Sequence, residues 1–393
     1  MTRQLHPLSP GWSRVRLSDL GFTYGGLSGK SAPDFGTGEG LYVPFTNVIQ
    51  NVFLNPSNLE RVRIRPGEVQ NYISGGDILL NASSETPEEV GLACYVEDGL
   101  DLAGVYLNSF CFGFRVTAPK RVSPKFLAFQ LRGPVGRTLM APLAQGYTRY
   151  NLSKNRFLAL EMPIAPIDEQ IAIATALRDV DSLIDSLDVL IDKKHQLRVA
   201  TIQSLLSGKR RLPGFEETWA VIPFLELFRR VSASGKKLPT SAFRAVGRWP
   251  VVDQSSSDIA GHTDREDLVL EAPPGGLVVF GDHTRVVKHI EGKFVVGADG
   301  VQMLAPLGEH NARFLALALR QAPIPATGYN RHFSHLVDLV FEVPEPSEQQ
   351  AIAEVLSDID AEINALVARR EKTALLKQGM VQELLTGRTR LVA

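Results

Sequence analysis

The chain is written twice, and few architectures accommodate a repeat of this length. EQIAIATALRDVDSLIDSL at 169–187 aligns without a gap to EQQAIAEVLSDIDAEINAL at 348–366, 179 residues further on. The same offset carries SLLSGKRRL (204–212) onto ELLTGRTRL (383–391). With small insertions the pairing extends upstream: FLAFQLR (126–132) with FLALALR (314–320), GYTR (146–149) with GYNR (328–331), and Trp12 with Trp219. Gly75-Gly76 likewise matches Gly275-Gly276. Solenoids repeat every ~20–50 residues, so this period implies a duplicated domain, each copy followed by a helix. The expected order is a globular unit at 1–165, a helical segment at 166–212, a second unit at 213–346 and a second helical segment at 347–393.

Each helical segment carries an apolar seam of alternating four- and three-residue steps. Ile173, Leu177, Val180, Ile184, Leu187 and Ile191 form the first, and Ile352, Leu356, Ile359, Ile363 and Leu366 the second. Such a seam is narrower than the stripe of a helix buried in a globular core, so it demands a helical partner. Lys194 and Arg370 interrupt it. Prolines at 163, 166, 344 and 346 mark the starts, Ser347 with Gln350 fits a capping box, and Gly208 and Gly387 suit the ends. At about 1.5 Å rise per residue, helices over 168–207 and 347–386 would each run about 60 Å. The economical partner of each is the other, packed antiparallel. The alternative is two unrelated helices, each covering its own domain.

Between the helices, VRIRP, GGDILLNAS, GVYLNSFCFGFRV, GLVVFGDHTRVV and FVVGADGVQML are short β-rich runs broken by Gly, Asp, Asn and Pro. Each unit then offers one clear helix, PKFLAFQLR or ARFLALALR. The fold class is therefore α+β, with twisted sheet and helices in each unit and two long helices between and after them.

Composition removes several classes. At 44% hydrophobic and 22% charged the chain is not disordered, and two cysteines cannot staple it. Cys94 and Cys111 read as reduced core residues. No apolar run approaches the ~20 residues of a membrane span, and the N-terminal MTRQLHPLSPGW lacks the apolar stretch of a secretory signal. A cytoplasmic location is expected. Lys plus Arg number 42 against 43 Asp plus Glu, and residues 1–165 hold 16 basic against 13 acidic side chains. Bulk charge leaves no nucleic-acid footprint, so any DNA contact needs clustered cations or a partner's.

Catalytic motifs are missing. GGLSGKS (25–31) would need a glycine at 24 to be a P-loop, and Tyr24 stands there. APPGG (272–276) lacks the Asn or Asp and the aromatic of an adenine-methyltransferase motif. His283, His289, His332 and His335 all fall in the second unit, without metal-ligand spacing.

Two variable β-rich units, each closing in G-Y-x-R and followed by a proline-led EQ-A-I-A helix that ends in LLxG, resemble the specificity subunit of type I restriction-modification systems. The likeness runs from Trp12 to Leu391, and FGDHTRVVKHIEGKFVVGADGVQML (280–304) resembles a recurrent version of the family's target-recognition domain. It implies two target-recognition domains, each reading half of a bipartite sequence in double-stranded DNA. The helices would be an antiparallel coiled-coil spacer of pseudo-twofold character that docks two adenine-N6 methyltransferase subunits, with motor-nuclease subunits joining the complex. It also implies no catalysis and no cofactor in this chain, S-adenosylmethionine, ATP and magnesium belonging to the partners. A type II system combining cleavage and methylation is an alternative, and so is a coiled-coil interaction protein without a DNA role.

Candidate DNA contacts are Gly146, Tyr147, Arg149 and Asn151 in one matched loop, and Gly328, Tyr329, Asn330 and Arg331 in the other. An arginine beside an aromatic after glycine suits phosphate or guanine. The same loops could equally just turn the chain, with both arginines capping or salt-bridging. Lys30 in the glycine-rich loop, Arg61, Arg63 and Arg65 on one strand face, and Arg285 and Lys288 are further candidates. Core packing between the helices is the expected role of the seam residues.

Overall fold

Both apolar seams fold as long helices, Ile167–Leu206 (40 residues) and Pro346–Leu384 (39 residues). The structure, a computed structural model, describes residues 8–391 except 234, 298, 299, 327 and 329. Two compact units share these helices. The first holds the described residues up to Leu187 and those from Arg369 onward, and the second holds Asp188–Ala368.

The strands of the first unit are β1 (Ser13–Arg16), β2 (Gly21–Gly25), β3 (Phe35–Val43), β4 (Glu60–Val62), β5 (Ile78–Asn81), β6 (Ser83–Ser84), β7 (Ala93–Tyr95), β8 (Val105–Leu107), β9 (Cys111–Val116), β10 (Tyr150–Asn151) and β11 (Glu161–Ile164). Its helices are α1 (Phe45–Gln50), α2 (Pro124–Arg132), α3 (Pro134–Met140), α4 (Lys154–Leu158) and the first half of α5 (Ile167–Leu206). An antiparallel sheet runs β2-β9-β5-β7, a mixed sheet runs β4-β3-β8 with β3 parallel to β8, and β1 pairs with β11.

The second unit has β12 (Ala220–Pro223), β13 (Phe228–Val231), β14 (Lys237–Leu238), β15 (Trp249–Val252), β16 (Gly261–Thr263), β17 (Leu270–Glu271), β18 (Leu277–Gly281), β19 (Val287–Ile290), β20 (Lys293–Gly297), β21 (Val301–Pro306) and β22 (Val340–Val343). Helices α6 (Phe224–Leu227), α7 (Ala312–Gln321) and the first half of α8 (Pro346–Leu384) accompany them. The pairings of the first unit recur: β13-β21-β18-β19 antiparallel, β16-β15-β20 with β15 parallel to β20, and β12 on β22. β14 and β17 add to β20 here alone.

The apolar runs ILL and LVVF make physical sense as central strands. Ile78 and Leu80 enter one core with Trp12 and Phe126, while Leu79 enters another with Val43 and Cys94. In β18, Val278 and Phe280 face one cluster and Leu277 and Val279 the other. Both faces are buried, so strand periodicity is hidden under continuous hydrophobicity. Cys94 and Cys111 are buried free thiols, and burial pushes the Cys94 thiol up to about 12.

Helix α2 is capped by the Ser123 hydroxyl accepting from Phe126 N–H, and it ends in Arg132. That guanidinium donates to the carbonyls of Ala93, Val48, Ile49 and Asn51 at 2.5–2.9 Å, closing the C-terminal end of α1. Burial lowers its pKa, and among the described residues no carboxylate pairs with it. Arg132→Met would leave four carbonyls without their donor. We expect a loss of about 3 kcal/mol, each orphaned buried acceptor costing about 1–3 before water enters, measurable by urea unfolding; a midpoint unchanged from the parent would refute this role.

The repeated Glu-Gln pair has a mechanical meaning. At the start of α5, Arg390 and the Trp12 indole both donate to the Glu169 carboxylate, with Arg390 at 2.6 and 2.7 Å and Trp12 at 3.2 Å. At the start of α8, Arg211 contacts Glu348 at 2.7 and 2.6 Å, and Trp219 donates to it at 3.2 Å. Each arginine follows the end of the opposite long helix. Gln170 then accepts from Ser123 N–H and donates to the Arg121 and Ala165 carbonyls. Gln349 repeats this, accepting from Asn311 N–H and donating to the Pro344 carbonyl. Glutamate thus ties two helices together, and glutamine ties one to the domain helix α2 or α7.

Within each unit the long helices run antiparallel. Asp181 pairs with Lys377 in the first; Arg198 with Asp360 and Lys194 with Glu362 (2.7 Å) in the second. The Lys194 break in the seam is therefore an interhelical ion pair. Arg370 lines a groove with Asp181 and Ile184. Of the seam residues, Ile173, Leu177, Leu187, Ile352, Leu356 and Ile363 are buried, and Val180, Ile184, Ile191, Ile359 and Leu366 are half-buried. Ile173, Leu177, Ile352 and Leu356 also join the domain cores. Gly208 (φ +64°) and Gly387 (φ +72°) take the left-handed conformation that ends each helix. The capping box does not form: α8 already begins at Pro346, and the Ser347 hydroxyl donates to Glu345 instead.

Candidate nucleic-acid interface

The first matched loop is a presented hairpin. Gln145 and Asn151 exchange backbone hydrogen bonds (3.0 and 2.8 Å), β10 pairs with β6, and Leu152 N–H donates to the Ala82 carbonyl (2.8 Å). Gly146 sits at φ +130°, where a Cβ would strike the Arg149 carbonyl oxygen. Only glycine closes this turn without strain. Tyr147 at the tip is 99% exposed. The Arg149 guanidinium lies 4.8 Å from the ring centre of half-exposed Phe110. It therefore stacks, and does not cap a helix. Beside it opens a cavity of about 440 Å³ lined by Phe45, Asn81, Ser83, Ser84, Glu89 and Arg149.

The second matched loop is held differently. Asp282, at the end of β18, is buried; its carbonyl accepts from His332 N–H (2.8 Å), and its carboxylate accepts from Phe333 N–H (2.8 Å) and Gln302 (3.2 Å). The Asn330 carbonyl lies 3.2 Å from His283 Nδ1. Gly328 has φ +79°, and Asn330 and Arg331 are exposed. Tyr329 lies outside the described residues. In both units the segment after the central strand, 82–84 or 282–283, is what seats the G-Y-x-R loop.

Several candidates are bolts and not free cations. Lys30 is buried, donating to the Arg63 carbonyl (2.5 Å) and pairing with Glu68 (2.5 Å). Its hydrogen bond leads the contacts that lower the Glu68 carboxyl to about 2. Lys288 is equally buried, donating to the Ser257 carbonyl (2.5 Å) with Asp253 at 3.6 Å. Neither can reach DNA without leaving its partners. Arg285, at φ +61°, donates to the Ile324 carbonyl (2.9 Å). β4 ends at Val62, so only Arg61 of the three arginines is on a strand, although Arg61, Arg63 and Arg65 are all exposed. Arg65 reaches Asp34 (3.3 Å), and Arg61 the Gly38 carbonyl (3.2 Å).

Among the described residues, no group of three His, Cys, Asp or Glu side chains could hold a metal ion, and no helix is long and apolar enough to cross a membrane. Residues 36–193 match the family model of the type I restriction modification DNA specificity domain. The chain resembles type I specificity subunits. The likeness extends to the fold of the whole chain. The type I restriction-modification S subunit of M. genitalium matches with TM-score 0.62 at 15% identity, covering 97% of each chain. The HsdS subunit of Thermoanaerobacter tengcongensis matches with TM-score 0.50 at 17% identity, over 99% of this chain and 100% of that one. A chain from a solved type I system, studied for complex assembly and conformational transition, gives 0.52 at 16% identity over 97% and 99%.

Phe110, Asp282 and the Ser83–Ser84 strand contact or seat the matched loops, and sequence reasoning missed them. The repeat alignment of the central strands offered one signal, since it places 82–84 opposite 282–284. Nothing in the sequence connected either segment to a loop more than forty residues away.

Proposed function

We propose that the chain is the sequence-reading subunit of a type I restriction-modification complex, each unit recognising one half of a bipartite duplex target. Partner subunits carry out adenine-N6 methylation and cleavage, and they hold S-adenosylmethionine, ATP and magnesium. This chain contributes side chains that reach base edges and phosphates, a task that needs no nucleophile or metal. The observation that carries the reading is the twofold use of one design: the same pairings in the antiparallel and mixed sheets, a G-Y-x-R segment at the matched position and the same Trp–Glu–Arg clamp in each unit. Two readers linked in one chain multiply their specificities. The two units differ in sequence, so the target halves differ and the whole target is asymmetric.

The test is to express the chain with its methyltransferase subunits and map N6-methyladenine across the host genome. A split, asymmetric motif that disappears when this gene is deleted is expected. If the same motif stays methylated after deletion, the reading fails.

A further inference from the structure

The mixed sheet of the second unit carries a cationic edge that lies outside the G-Y-x-R loop. β15 opens with Trp249, and the cations of Arg248 and Lys293 lie 4.8 and 5.8 Å from its ring centres. Lys293 begins β20, the parallel neighbour of β15. Arg244 starts the same turn with a 66% exposed side chain, and Val246 between the two arginines is 82% exposed. A backbone bridge to His262 fixes the base of the turn, and Asp264 accepts from Arg248 N–H (2.9 Å).

Acidic residues stand beside these cations: Asp264, Glu266, Asp267 and Glu271. Asp264 pairs with Arg244 at 3.0 Å, and both side chains are at least 60% exposed. Such a pair is worth about 0–1 kcal/mol, so exchanging it for a phosphate costs little. Glu271 stands opposite Lys293 in the β17–β20 register, and Asp267 is engaged by Arg265 at 2.7 Å. Stacking on Trp249 holds two long cationic side chains in place before any ligand arrives, which reduces the ordering cost of binding.

The mixed sheet of the first unit has the same β4-β3-β8 pairings, and Arg61 on β4, with Arg63 and Arg65 just after it, is exposed there. No residue-by-residue alignment relates these to Arg244 and Arg248. Exposed arginines thus lie beside the mixed sheet in both units, as expected if both lie against the same polyanion.

We propose that the Arg244–Trp249 turn, with Lys293, is a phosphate-contacting edge of the second unit that lies along the backbone of duplex DNA. This rests on the DNA-reading function above. Val246, 82% exposed between Arg244 and Arg248, protrudes from this edge.

The assembled complex should be titrated with a duplex carrying its mapped target and with an unrelated duplex, over a salt series. In the R244Q/R248Q/K293Q variant, affinity falls about equally on both duplexes, and the slope of log affinity on log salt falls by about two to three. The charge-retaining R244K/R248K/K293R variant keeps the parental slope. Parental affinity and slope in the glutamine variant would overturn the edge while leaving the DNA-reading function intact. Equal losses in the charge-retaining variant would overturn it too, since charge would not be the cause. A parental complex that binds neither duplex would overturn both readings.

Discussion

Arg390→Met lowers the stability of the chain, because it strips the partner from the Glu169 carboxylate. Glu169 is 2% exposed, and Arg390 supplies two of its hydrogen bonds while also donating to the Pro10 carbonyl. The double variant Glu169→Gln/Arg390→Met recovers much of the loss, because a neutral amide replaces the stranded carboxylate. Burial alone would raise the Glu169 pKa, but the Arg390 hydrogen bonds and charge, with Trp12 and Leu391 N–H, outweigh it and the net shift is downward. In the parent, this group's contribution is therefore complete above the ordinary carboxyl pKa and fades as pH falls through the lowered folded value. In Arg390→Met the guanidinium that does most to lower the folded pKa is gone, so the folded value rises and less stability is left to lose on acidification. The gap in melting temperature between variant and parent should narrow from pH 7 to pH 4. A gap that is absent at pH 7, or one that widens on acidification, is incompatible with the clamp.

The clamp also marks the limit of what the sequence could reveal. Proline, a 4,3 seam and glycine bounded both long helices to within two residues, because those signals act through local backbone geometry. The doubled Glu-Gln was visible as a repeat, but its purpose was not. Arg390 is 221 residues from Glu169, and Arg211 is 137 from Glu348. The same distance blindness misjudged the lysines. Lys30 looked free in a glycine-rich loop because Glu68, its partner, lies 38 residues on. Lys288 sits on β19, whose inner face is only apparent once β18 lies beside it. Ser347 failed as a cap for a local reason: Pro346 is accepted in the first helical turn, so the helix starts one residue sooner and places the serine inside. The matched loops were legible as positions, since glycine at a required positive φ and a repeated arginine leave a trace. What seats them, Ser83–Ser84 in one unit and Asp282 in the other, shares no chemistry and left none.

If the G-Y-x-R loops read DNA, Arg149→Met and Arg331→Met will damage different halves of the target. Arg149 is poised on Phe110 at the rim of a cavity, and Arg331 is exposed beside the loop that Asp282 holds. A bidentate contact to guanine is worth about 1–3 kcal/mol, so each variant of the assembled complex should lose roughly 5- to 150-fold in affinity for the mapped target. If the contact is to a base, methylation relaxes at one position in one half only, and the other half keeps its sequence. If it is to phosphate, affinity falls on every duplex alike and the salt slope drops by about one, with no change in motif. Phe110→Leu should give a weaker version of the Arg149 result, because the arginine keeps its charge and loses its platform. A single variant that relaxes both halves together would contradict separate readers, since only a shared reading surface could respond in that way. Wild-type affinity and motif in both arginine variants would confine the loops to turning the chain.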